Sequence, residues 1–169
     1  MNPDVLVAFS SRHGATAELA QAIGSTIAAH GPAVDVRRMD DVDTVFPYCA
    51  LVLGSAVYLD RWTTEARRFV DLHREGIAGR PTWLFSSGPI GQDIGVERFD
   101  ASELVEKTRA RDHHLFGGRL RKRSLRLGER AIAGLLGAQD GDHREWAAAT
   151  AWALAIGRAL AEERVASRS

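Results

Sequence analysis

The sequence is poor in the features that mark several large classes of protein. It has one cysteine, Cys49, so no internal disulfide can staple the fold. Acidic and basic residues balance at 22 each, so no overall field draws the chain to nucleic acid, and a nucleic-acid partner is not expected. No apolar run approaches the roughly 20 residues that span a bilayer. The opening MNPDV lacks a basic segment followed by an apolar one, so no signal peptide is expected. Together with the lone thiol, this makes the cytoplasm the expected compartment. Familiar site motifs are missing too. No GxGxxG follows the first apolar run, which argues against NAD, and no Gly-Lys-Ser or Gly-Lys-Thr ends a glycine-rich loop. Phe9-Ser10 and Gly54-Ser55 stand where a phospho-accepting receiver domain would carry its carboxylates. Cys49 opens the third apolar run rather than sitting in the first loop, which excludes a thiol phosphatase and makes it a small core residue. No metal site is expected.

What is present organises around Val5 to His30. Val5 to Phe9 is an apolar run of strand length, of the near-continuous kind found in parallel sheets covered on both faces. Ser10 to Thr16 is a short polar loop with one glycine. From Ala15 or Thr16 to about Ala29 the apolar period changes, and Leu19, Ile23 and Ile27 form the stripe of an amphipathic helix. His30-Gly31-Pro32 stops it. Ala33 to Met39 alternates and reads as an edge strand. Cys49 to Ser55 is a third strand, Ala56 to Trp62 a loop, and about Thr63 to His73 a helix with Thr64 as its cap and Ala66, Phe69, Val70 and Leu72 inward. Thr82 to Ser86 and His113 to Phe116 are the last strands, with a weak helix over Ser102 to Ala110 between them. Leu127 to Leu136 and Glu145 to Val165 read as C-terminal helices, the second with a stripe of Trp146, Ala149, Ala153, Ile156 and Leu160.

With 169 residues and 45% apolar content, the chain is expected to form one domain over residues 1–169, with its C-terminal helices between about 127 and 165. The pattern is that of a doubly wound, five-stranded parallel sheet. Such sheets bind ligands beyond the C-terminal ends of their strands, near the switch in strand order. Those ends carry Ser10 to Thr16, Ser55 to Trp62, Ser86 to Gly91 and Gly117 to Arg123. The first loop suits a terminal phosphate monoester. Ser10, Ser11 and Thr16 offer hydroxyls, the helix start offers amides, and Gly14 allows close approach or positive φ. Arg12 either adds charge or is solvated. His13 is read as a surface residue. Tyr58 either stacks on a flat ligand or is a half-buried loop aromatic, and Trp62 either shields the ligand's edge or anchors the following helix.

These segments resemble the flavodoxin-domain family that includes menaquinone-dependent protoporphyrinogen IX dehydrogenase, over nearly the whole chain. Ser10-Ser11-Arg12-His13-Gly14-Ala15-Thr16 is similar to the family's FMN-phosphate loop, with His13 where an aspartate often stands. Ser55-Ala56-Val57-Tyr58 is similar to the loop along the isoalloxazine ring. Ser86-Ser87-Gly88, with Gly91 beyond it, and Gly117-Gly118 match the other flavin-side loops. Gly141, Asp142, Arg144 and Trp146 match a tail signature. The resemblance implies a flavodoxin-like three-layer sandwich of strand order 2-1-3-4-5, FMN as cofactor, and an FMN-dependent oxidoreductase. It also implies protoporphyrinogen IX or a related small-molecule redox substrate as donor, and a quinone or a redox protein as acceptor. A homodimer and a peripheral contact at the inner face of the membrane belong to the same implication. No catalytic side chain is nominated, because the flavin carries the electrons.

Two departures bear on the substrate. The region Pro89 to Thr108 carries Asp93, Glu97, Asp100, Glu103 and Glu106 where the family has a basic insertion. Arg119-Leu120-Arg121-Lys122-Arg123-Ser124 keeps that segment's charge but not its tyrosines. This basic stretch is a solvated face, an attractor for an acidic substrate, or a contact for an anionic membrane. Asp142 reads as a cap before the last helix, with Trp146 on its first turn. Two other functions stand beside the oxidoreductase: a flavodoxin-like electron carrier with no substrate of its own, and an FMN-free interaction protein.

Overall fold

The computed structural model describes residues 4–12, 14–88, 99–116 and 140–166, the side chains of 140–145 apart. Its centre is β1 (Val5–Ser10), every residue of which is buried. It lies between β2 (Val34–Arg38) and β3 (Ala50–Tyr58), and β5 (Thr82–Ser87) and β6 (Asp112–Phe116) extend the sheet on the β3 side. All four of these pairings are parallel, giving the order β2-β1-β3-β5-β6. This is the expected flavodoxin-like order, with β2 at an edge as its alternating sequence required. One element was not foreseen. Ala56 to Trp62 is not a loop. β3 continues to Tyr58, turns at Leu59 and Asp60, and returns as the two-residue antiparallel strand β4 (Arg61–Trp62).

Strand alternation splits the core into two layers. Val5, Val7, Phe9, Val52, Trp83 and Phe85 face α1 (Ala15–Ala28) and α5 (Asp140–Ala166). Leu6, Ala8, Leu51, Leu53 and Leu84 face α2 (Thr64–Leu72), α3 (Arg74–Ala78) and α4 (Ser102–Thr108). Gly24 of α1 permits the close approach of helix to sheet, because a Cβ there would stand 2.5 Å from Val36 Cγ2. The α5 stripe packs as its spacing predicts, and Trp152, which that stripe omitted, joins it in the core. The Trp152 indole N–H donates to Asp112 Oδ2 at 2.7 Å, fastening α5 to β6.

Several local expectations are corrected. The cap of α2 is Thr63, whose hydroxyl accepts the Ala66 N–H at 3.2 Å, and not Thr64. Leu72 is 73% exposed, because the helix turns it away from the sheet. Cys49 is exposed rather than in the core, since it precedes β3 at the end of the sheet remote from Tyr58. α5 starts at Asp140, so Asp142 lies inside the helix and Trp146 on its second turn. The helix expected over 127–136 and the basic stretch 119–126 lie outside the described residues.

Candidate functional site

The strand order reverses between β1 and β3, so the loop after β1 and the end of β3 separate at one edge of the sheet. A solvent-open cleft of about 260 Å³ lies there. Ser11, Ala15 and Thr16 line it from the first loop and the start of α1. Ala56, Val57 and Tyr58 line it from the end of β3, and Ser87 and Gly88 from the end of β5. Residues read from three separate stretches of sequence therefore meet in one place.

The first loop turns sharply into the start of α1. Gly14 precedes α1 with φ 89°, a left-handed conformation that costs glycine little. Its N–H donates to Ser11 Oγ at 3.0 Å, which holds that hydroxyl beside the helix start. α1 begins without a side-chain cap, so its first amides are suited to an external acceptor at the positive end of the helix dipole. Thr16, 1% exposed, sits on that first turn. Glu18 follows on α1, and burial raises its carboxyl pKa above the ordinary carboxylate value. The Arg12 guanidinium lies 5.1 Å over the Tyr58 ring, so it is neither in simple solution nor held only by the cradle.

Ser10, Ser55 and Ser86 take a different place from the one expected. They stand side by side across β1, β3 and β5. Alternation turns their hydroxyls toward the α2 side, into a buried polar layer. Ser10 Oγ and Thr63 Oγ1 are 2.6 Å apart. Ser55 Oγ accepts the Thr63 N–H at 3.1 Å and donates to the Ala56 carbonyl at 2.8 Å. Ser86 Oγ accepts the Trp62 indole N–H at 2.8 Å and lies 2.8 Å from His113 Nε2. Trp62 is 2% exposed and therefore anchors the hairpin and α2. It does not shield a ligand's edge. His13, Gly91, Gly117 and Gly118 lie outside the described residues.

Thr63 and His113 were not singled out from sequence. A threonine before a helical pattern is a cap signal, but nothing local shows that it also joins two strand ends. Thr63→Ala is expected to cost about 2 kcal/mol, combining a lost cap with buried serine hydroxyls left short of a partner. Urea unfolding would measure it, and an unchanged midpoint would refute the shared role.

Burial pushes the His113 pKa below the ordinary 6.5, with Asp112 opposing the shift and His114 adding to it. Burial does the same to His73, against an opposing backbone hydrogen bond with Val42. As pH falls below 6.5 the unfolded chain therefore takes up these protons first. The stability present above that value is expected to decline from pH 6.5 down to the lowered folded-state values. Thermal midpoints across this range would check it, and His73→Gln should make the decline shallower.

The fold and the cleft define a doubly wound α/β protein with a cleft at its topological switch point. A family model for the flavodoxin domain matches residues 6–145, and the chain belongs to that family, whose cofactor is FMN. Among solved structures it is similar to a flavodoxin from the domain Archaea, at 17% identity and TM-score 0.60 over 91% of this chain and 96% of that one. It is also similar to flavodoxin 2 from Bacillus cereus, at 24% identity and TM-score 0.55 over 68% and 84%. Rubredoxin oxygen:oxidoreductase from Desulfovibrio gigas aligns at 11% identity and TM-score 0.64, over 94% of this chain but 36% of that one. These likenesses concern the fold. No curated protein matches the chain. Among the described residues no helix is long and apolar enough to cross a membrane, and no group of side chains could hold a metal ion.

Proposed function

We propose that the chain is an FMN-dependent oxidoreductase that carries the flavin in this cleft. One observation carries the reading: the uncapped start of α1, with Gly14, Ser11 and Thr16, opens into the same cleft as Tyr58 and Ser87. A phosphate cradle and a slot for a flat ring are thus joined. Ser11, Thr16 and the first amides of α1, Ala15 included, would hold the phosphate. Ala56, Val57 and Tyr58 would line the ring from the end of β3, and Ser87 and Gly88 from the adjacent end of β5. The resemblance adds His13 to the cradle and Gly91, Gly117 and Gly118 to the ring side. Ser10, Ser55 and Ser86 support this frame from below. Bound FMN supplies an electron-accepting and electron-donating ring. The chain's own residues would bind and orient it, and no side chain is required as a strong acid or base.

The donor in this reading is a small redox substrate, protoporphyrinogen IX being the one that the loop and tail resemblance supports, with a quinone or a redox protein as acceptor. The basic stretch 119–126 would serve an acidic substrate or an anionic membrane surface. A second reading, an electron carrier, is favoured by extent, since the chain aligns over 96% of a free-standing archaeal flavodoxin. The test is an absorbance spectrum before and after addition of FMN and removal of the excess. Bands near the flavin's ~375 and ~450 nm at about one FMN per chain are expected. A flat visible spectrum would refute the FMN reading. With FMN retained, turnover of protoporphyrinogen with a menaquinone analogue separates enzyme from carrier.

A further inference from the structure

His113 lies on β6, three strands from β1 in the sheet, yet a short chain of hydrogen bonds connects it to the cleft. The indole of Trp62 can only donate, so Ser86 Oγ accepts there and its own hydrogen is available to His113 Nε2. Trp62 stands opposite Val57 in the β3–β4 hairpin, and Ser86 immediately precedes Ser87. Val57 and Ser87 both line the cleft, from the adjacent ends of β3 and β5. The Trp62–Ser86 bond therefore ties the β3–β4 hairpin to the end of β5 beside the cleft, and His113 sets the direction of the Ser86 hydrogen. We infer that His113 is a positioning residue for flavin binding, acting through Ser86 and Trp62 on the hairpin and the end of β5 that line the cleft; this rests on the FMN reading above.

The chain of bonds is satisfied only while His113 accepts. A protonated ring would present a second N–H to Ser86 Oγ, and the serine hydrogen would lose its acceptor. Ser86 is fully buried and Trp62 nearly so, which makes an unmatched group costly. The groups around His113 do not favour the charge. β5 presents the Ser86 hydroxyl, and the Phe99 ring lies 5.7 Å away. Burial disfavours the charged ring most, and on β6 itself His114 adds to that while Asp112 opposes it. Acidification is thus expected to break the Trp62–Ser86–His113 chain and free the hairpin wall.

The test compares FMN dissociation constants of the wild type and His113→Gln between about pH 8 and pH 5, a range that brackets the ordinary histidine value. The variant reports the part of the pH dependence that comes from the FMN phosphate. Over this range the wild-type constant is expected to rise about tenfold more than that of the variant. In flavin-free protein the Trp62 indole N–H resonance, assigned with Trp62→Phe, is expected to move with a midpoint below 6.5 in the wild type and to stay fixed in His113→Gln. Ser86→Ala cuts the same link and should flatten the binding profile likewise, should His113→Gln fold poorly. Binding at pH 8 with parallel profiles and an immobile Trp62 resonance would overturn the inference alone. No FMN binding by the wild type at pH 8 would overturn it together with the FMN reading.

Discussion

Gly54→Ala is expected to destabilise the protein by about 3 kcal/mol, the upper part of the range for forcing an extra methyl into a packed core. A Cβ at this position would lie 1.9 Å from Phe85 Cζ, with both adjoining ring carbons within 2.3 Å. Gly54 pairs with Phe9 on one side and Phe85 on the other, and the missing side chain lets the Phe85 ring cross the strand. That ring cannot simply move. It is fully buried, with Phe116 and Trp152 edge-on at 6.4 and 6.3 Å. For a chain of this size the thermal midpoint should fall by about 6–12 °C. In a Phe85→Leu background the same substitution should cost less than about 1 kcal/mol, because the two sites share one volume. A cost that is the same in both backgrounds would show that the ring is not what excludes the methyl.

Thr16→Ala is expected to weaken FMN binding by about 1.5–3 kcal/mol, roughly tenfold to 150-fold in the dissociation constant. The residue is almost wholly buried, sits on the first turn of an uncapped helix and lines the cleft. Thr16→Val keeps the shape and should lose nearly as much affinity, while Thr16→Ser should retain most of it. Titration of flavin fluorescence would measure all three. An affinity unchanged in Thr16→Val would remove the hydroxyl from the cradle.

The loop and helix start that line the cleft were legible because they are local. A polar loop, one glycine and the start of an amphipathic helix lie within residues 10–16, and backbone geometry follows directly from that order. The central strands were legible for a similar reason, since a strand covered on both faces has to be apolar throughout. The β3–β4 hairpin was not. Leu59 and Asp60 turn with φ 46° and 57°, a conformation that aspartate tolerates but a leucine before it does not advertise. What holds the turn is distant in sequence: Trp62 is fixed by Ser86. Cys49 went astray because a small apolar residue beside an apolar run carries no sign of where the strand leaves the core.

The sequence by itself determined which segments are strands and helices and which loop follows the first strand, because hydrophobic period and turn chemistry act over a few residues, while the strand order came from the family resemblance. Only the tertiary structure decided which hydroxyls face the cleft. Ser10 and Ser11 are neighbours of identical chemistry, yet one is bound to Thr63 beneath the site while the other lines it. Strand alternation, and partners brought from 53 and 27 residues away to Ser10 and Ser86, made that choice. A hydroxyl's role depends on the acceptor or donor that folding places opposite it, and that partner is written elsewhere in the chain.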